Sequence, residues 1–250
     1  MSNNFLVGSY YPVKSKVHFM SPISKILCTL IFIVTTFLCS DPRLMLLLSM
    51  VIVLVTEMAR LPRRIYFKTF KSLRFVIVFI ILIYYLLGTD LETVINMILR
   101  VINIVLYTSV LTLTTPPTEI TYGLQKVLSP LRILGIRVKK LSLSLTFALR
   151  FIPMFLDEGN RILKTQASRG IDYYASGIKG KFLAVKSMLI PMYIQTVHKI
   201  DLMSESMQVR LYNINNKRTN FKKAKWGFFD TFLLLIHLGI LGLIIARMVI

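Results

Sequence analysis

LSLSLTFALRFIPMFLDEGNRILKTQASRGID, Leu141–Asp172, and KFLAVKSMLIPMYIQTVHKIDLMSESMQVRLYN, Lys181–Asn213, are the two stretches whose reading decides the fold. Each carries a proline in its body, Pro153 and Pro191, and each is apolar at its start and more polar toward its end. The first stops at Ser168-Arg169-Gly170 and the second at Val209-Arg210-Leu211. A helix of about 32 residues is roughly 48 Å long. Arg150 interrupts the apolar part of the first. The apolar run of the second, between Lys186 and His198, is far shorter than the roughly 20 residues needed to cross a bilayer. Two long helices are therefore expected to lie along a membrane face and to present similar tips to something that meets them twice.

Outward from this pair the chain is a series of apolar blocks. Ile26–Cys39 and Leu44–Met58 flank the turn Ser40-Asp41-Pro42-Arg43, and Phe75–Leu87 and Thr93–Leu113 flank the acidic turn at 88–92. Phe228–Ile250 is long and nearly uncharged apart from Arg247. Thr114-Thr115-Pro116-Pro117 ends the fourth block, because proline has no amide donor and disfavours helix in the residue before it. The expected fold is an all-α membrane protein of about five transmembrane helices with a coupling domain of long helices. The expected division is 1–115 with four spans, 116–226 as the long-helix domain and 227–250 as the last span. Residues 1–24 are read as a loop against the membrane face, and no cleavable signal peptide is evident.

The 250 residues are 55% hydrophobic, above the roughly 45–50% of soluble chains, and mean hydropathy is +0.66. The formal net charge is +20, from 31 Lys and Arg against 11 Asp and Glu. The basic residues sit between apolar blocks, so positive-inside topology accounts for them better than nucleic acid does. Arg60 to Arg74 holds six basic residues and no acid, and Thr118 to Trp226 holds 19 basic and 6 acidic residues. Both are expected in the cytoplasm, with the 40–43 and 88–92 turns outside, the N-terminus inside and the C-terminus outside. The lipid bilayer is one partner, and the bacterial plasma membrane is the expected location.

Asn96, Arg100, Asn103 and Tyr107 form one stripe of the fourth span. A charge at that depth should face protein or water, as an interhelical network or as a partner contact. Glu57 and Arg60 read as a surface ion pair, and Phe147, Phe151 and Met154 as packing residues. His18, His198 and His237 lack metal-ligand spacing, and no phosphate loop of the G-x-x-x-x-G-K-[ST] type is present. No catalytic, cofactor or metal site is therefore expected. Two cysteines in one span give no disulfide framework.

Arg169-Gly170 has two readings. Glycine can supply the left-handed residue after a helix, with the cation near the last carbonyls. Alternatively the planar guanidinium forks of Arg169 and Arg210 insert into two acidic or carbonyl-lined pockets. Gln166-Ala167-Ser168-Arg169-Gly170-Ile171-Asp172 resembles the Q-x-A-R-G-x-D motif of the T component of energy-coupling factor (ECF) transporters. Ser206-Met207-Gln208-Val209-Arg210-Leu211-Tyr212 resembles that family's second motif, A-M-x-A-R-x-[FY]. Gly8-x-Tyr10-x-Pro12, His18-x-x-Ser21-Pro22, Thr115-Pro116, Ser129-Pro130-Leu131 and Leu149-Arg150-Phe151-Ile152-Pro153 agree in the same order. Ser168 and Val209 replace alanine, and Leu211 stands where glycine or cysteine is common.

The resemblance implies a non-enzymatic, L-shaped membrane scaffold without cofactors. It implies two homologous cytoplasmic ABC ATPases and a membrane substrate-binding S component as partners, in vitamin or micronutrient uptake. Ser168, Arg169, Gly170, Val209, Arg210 and Leu211 would be the contacts that couple to the ATPases. Phe147, Phe151 and Met154 would be possible S-component contacts. The alternatives are a conventional ABC permease half, which should show a polar path through its own spans, and a dedicated cobalt- or nickel-type T subunit. A membrane enzyme is a more distant rival, since Asp157 and Glu158 are adjacent and point about 100° apart on a helix.

Overall fold

The computed structural model describes residues 10–13, 15–88, 90–134, 138–170, 178–212 and 225–249. Among these the regular elements are helical: α1 Pro22–Leu38, α2 Pro42–Ala59, α3 Arg63–Leu87, α4 Leu91–Thr114, α5 Pro117–Val127, a 3-10 segment Ser129–Leu134, α6 Val138–Ser168, α7 Ile178–Val209 and α8 Phe228–Val249. α2, 69–87 of α3, α4 and 228–248 of α8 are long and apolar enough to cross a membrane, and α1 is a shorter apolar helix. The chain is an all-α, multi-pass membrane protein.

The boundaries follow local chemistry. Pro22, Pro42 and Pro117 each stand at a helix start, where the missing N–H is not needed. Asp41 caps α2 by accepting from the Arg43 N–H at 3.2 Å. The third span differs from the sequence expectation. Its helix starts at Arg63, ahead of the apolar block Phe75–Leu87, so most of the basic stretch is part of the same helix. Lys and Arg are good helix formers, and nothing between Pro62 and Gly88 breaks the backbone ladder.

The chain divides into two compact units, one holding α1 to α5 with α8, the other holding α6 and α7. In the first, α1 packs against α4, α5 and α8, and α4 also packs against α2 and α3. Inside a bilayer, helices associate through close packing and hydrogen bonds, because lipid is as apolar as leucine. The inward face of α1 fits that rule. Ser24, Cys28, Thr29, Thr35 and Thr36 are buried, and the three threonine hydroxyls donate to carbonyls one turn back. Phe32 stacks on Tyr107 with centroids 4.3 Å apart. Tyr107 Oη lies 2.8 Å from His237 Nε2. Because His237 Nδ1 is 2.8 Å from the Leu233 carbonyl, which only accepts, Nδ1 carries the proton and Tyr107 donates to Nε2.

The polar stripe of α4 is an interhelical network. Arg100 Nη2 donates to the Cys39 carbonyl at 2.6 Å, Asn96 Nδ2 to Ser40 O at 3.4 Å, and Ser49 Oγ to Asn103 Oδ1 at 3.1 Å. At the same rim Arg247 of α8 pairs with Asp41 at 2.7 Å. The other end is tied as closely. Tyr11 N–H donates to Leu113 O at 2.9 Å, and the buried Lys25 Nζ donates to Thr114 O at 3.1 Å and Thr115 Oγ1 at 3.2 Å. His18 Nε2 is 3.0 Å from the Tyr11 carbonyl and so carries the proton, leaving Nδ1 to accept from Ser15 Oγ at 2.7 Å. Burial holds the His18 pKa below its ordinary value, which favours this neutral form.

Hydropathy hides one acid in the last span. Asp230 is 2% exposed. Its Oδ2 accepts from the Gly227 N–H at 2.7 Å, in the manner of a capping box. Its Oδ1 accepts from the Ser21 N–H at 2.9 Å and from the Ser24 hydroxyl, so one carboxylate ties the start of α8 to the start of α1.

Gly123 sets the approach of α5 to α1. A Cβ there would sit 2.7 Å from Ile26 Cδ1 and 3.0 Å from the Pro22 carbonyl oxygen. The side chain can turn away, but the backbone cannot. Gly123→Ala is expected to destabilise the chain by about 1–3 kcal/mol, the usual cost of overpacking. Thermal unfolding in detergent checks this, and an unchanged midpoint contradicts it.

Candidate functional site at two arginine-capped helix ends

The last turns of α6 and α7 are built alike. α6 leaves the helix after Ser168, Arg169 N–H donates to Gln166 O at 3.0 Å, and Gly170 N–H donates to Ala167 O at 3.0 Å. Gly170 has φ +82°. α7 leaves the helix after Val209, and Leu211 N–H donates to Gln208 O at 2.9 Å. Tyr212 N–H reaches back to Met207 O at 2.9 Å, and Leu211 has φ +55°. In α7 these are the two bonds of a Schellman ending, and the Gly170 bond in α6 matches the first of them. An arginine therefore stands at the same position in both tips, one residue before a left-handed turn. Both arginines are exposed and make no hydrogen bond or ion pair through their side chains with another described residue.

The tips differ in what surrounds the arginine. Ser168 and Gly170 are small, and the Ser168 hydroxyl is turned back to Lys164 O at 3.1 Å. Val209 and Leu211 are 79% and 90% exposed. Leu211 also adopts a conformation that costs an L-residue about 1–2 kcal/mol. Leu211→Gly is therefore expected to stabilise the isolated chain by about 1 kcal/mol. A lower unfolding midpoint for that variant contradicts the strain.

Away from the tips, α6 and α7 are joined by polar side chains. Glu158 is 9% exposed, and accepts from Lys199 Nζ and from Arg161 Nη2, each at 2.9 Å. Arg161 also reaches Gln195 Oε1 at 3.4 Å. The hydrogen bond from Lys199 is the main reason the Glu158 carboxyl is held below its ordinary pKa. Burial opposes this, and Arg161 adds to it. The bridge is thus charged at neutral pH, persists down to the ordinary carboxylate value of 4.5, and is lost only as pH falls through the depressed pKa. The spacing of Glu158 and Arg161 is legible in sequence as an i, i+3 pair, whereas Lys199, 41 residues away, is not.

Phe151 and Met154 line the groove where α6 meets α7, with Arg150, Asp157, Lys199 and Met203. Phe147 lies one turn earlier and stacks on Phe151 with centroids 6.1 Å apart, and Phe151 stacks on Phe155 at 5.8 Å. The three sequence-selected groups Phe147, Phe151 and Met154 are thus half-buried on one part of α6, well before its tip.

A family model described as CbiQ, cobalt transport protein, matches residues 13–221. An energy-coupling factor transporter transmembrane protein EcfT of Staphylococcus aureus is 28% identical over 247 residues, covering 92% of both chains. That of Bacillus subtilis is 28% identical over 92% of this chain and 93% of its own. That of Acidaminococcus fermentans is 29% identical over 98% and 97%.

Proposed function

The chain belongs to the cobalt transport protein family, and from that premise we propose that it is the energy-coupling T component of an ECF-type importer, joining two ABC ATPases to a substrate-binding S component. The observation that carries this reading is the repeated tip: arginine at the C-cap, then a left-handed residue, on two long helices. Exposed guanidinium forks at Arg169 and Arg210 suit carboxylate- or carbonyl-lined pockets on a partner. ATP binding draws the ATPase pair together and moves the two tips relative to each other. α6 and α7 carry that motion to their apolar parts, where Phe147, Phe151 and Met154 meet the S component. The chemistry of ATP hydrolysis belongs to the partners, the substrate is chosen by the S component, and α6 and α7 lie on the cytoplasmic side.

Co-expression with the two ATPases and purification in mild detergent tests the reading. A stable complex is expected, with cysteines at Asp90 and Ser206 labelled from opposite sides of intact cells. ATP hydrolysis or substrate transport by the isolated chain would instead support a permease half or a membrane enzyme. The family's description favours cobalt as a second substrate reading. Uptake assays with the cognate S component separate metal from vitamin.

A further inference from the structure

We propose that Glu158 is a positioning residue, the fulcrum that fixes how far apart the tips of α6 and α7 are held; its functional half rests on the tip-docking reading above. Three observations carry it.

The first is register. Glu158 lies 11 residues before Arg169, and Lys199 lies 11 residues before Arg210. At 1.5 Å per residue both arms are about 16 Å long. The bridge therefore stands at equal distance from the two arginines, and about three turns of helix separate it from each.

The second is the stiffness of the arms. Pro153 and Pro191 both precede the bridge, and Gly159 stands directly beside it in α6. Residues 160–168 and 200–209 contain neither proline nor glycine. A change of angle at the bridge is therefore delivered to the tips and not absorbed on the way.

The third is the nature of the contact. Among the described residues of α6 and α7, the side chains that are buried are Glu158 and Ile162. An apolar seam would lock one packing. Here the polar links are the Glu158 carboxylate, held across the pair by Lys199 and steadied by Arg161 of its own helix, and the longer Arg161–Gln195 contact; such links permit rotation about the contact while resisting separation. Lys199 and Arg161 are partly and largely exposed, so either cation can find water if the carboxylate is removed. Loss of Glu158 should therefore free the angle without unfolding the pair.

The test uses the assembled transporter, with spin labels at the exposed Lys164 and Glu205, one on each arm. A narrow distance distribution is expected for the parent, and a broad one for Glu158→Ala. The exchange Glu158→Lys with Lys199→Glu should narrow it again. In the same complexes Glu158→Ala should keep both ATPases and their hydrolysis, since both arginines remain, while transport falls by about tenfold, within the range of coupling effects. An unchanged distribution in Glu158→Ala overturns the fulcrum. A broadened distribution with full transport overturns its functional half. Loss of both ATPases from Glu158→Ala also overturns it, because the residue would then support folding only. If the distances respond while Arg169→Ala and Arg210→Ala variants still hold their ATPases, the fulcrum stands and the tip-docking reading fails.

Discussion

The double variant Arg169→Ala, Arg210→Ala is expected to release both ATPases and abolish transport while the chain itself folds and inserts normally. Each arginine sits at an exposed C-cap without a side-chain partner among the described residues, so little in the fold depends on it. A cation at a helix end contributes only about 0.3–1 kcal/mol. In a docked complex each guanidinium instead makes charge-assisted hydrogen bonds, and losing them costs roughly 1.5–3 kcal/mol per tip. Two tips together then weaken association by about a hundredfold or more. Single variants should each lose one ATPase, and lysine should restore only part of the binding, because a point charge does not copy a planar fork. Co-purification and uptake with matched expression check this. A double variant that keeps both ATPases and transports would reduce Arg169 and Arg210 to helix-end charges.

Asp230→Ala is expected to have the largest effect on the fold, about 3–5 kcal/mol. It leaves the buried Ser21 N–H and the Gly227 N–H without their acceptor, while the Ser24 hydroxyl keeps the Ser21 carbonyl at 2.8 Å. The start of α8 then loses its tie to the start of α1, the helix around which α4, α5 and α8 pack. Asp230→Asn should recover only part of the loss, since its amide nitrogen turns donors toward an N–H that one carboxylate oxygen served. The measurement is the unfolding midpoint in detergent together with the yield of folded protein. Stability equal to the parent would show that water replaces the carboxylate without loss.

These two variants also separate what is local from what is not. Hydropathy alone locates α2, α4, α8 and the apolar part of α3, because a bilayer-spanning helix must be apolar over its own length. Helix ends are equally local. Pro116 and Pro117 stop α4, and Gly170 stops α6 at the residue expected. The likeness of the two tips is visible in sequence because each motif is contiguous. The start of α3 at Arg63 lies ahead of its apolar block, because lysine and arginine favour helix and carry it beyond the apolar residues.

Other features depended on partners far along the chain. Sequence offers two readings of the α4 stripe, and the packing chose the interhelical network by bringing Cys39, Ser40 and Ser49 to it. Nothing near Glu158 announces Lys199, and nothing near Asp230 announces Ser21, 209 residues away. Sequence marks Leu211 as standing where glycine or cysteine is common, but only the chain path shows that it takes φ +55°. Caps, spans and contiguous motifs are fixed by interactions within a few residues, which the sequence determines by itself. Which buried polar group meets which is fixed by how the helices pack, and that only the tertiary structure decides.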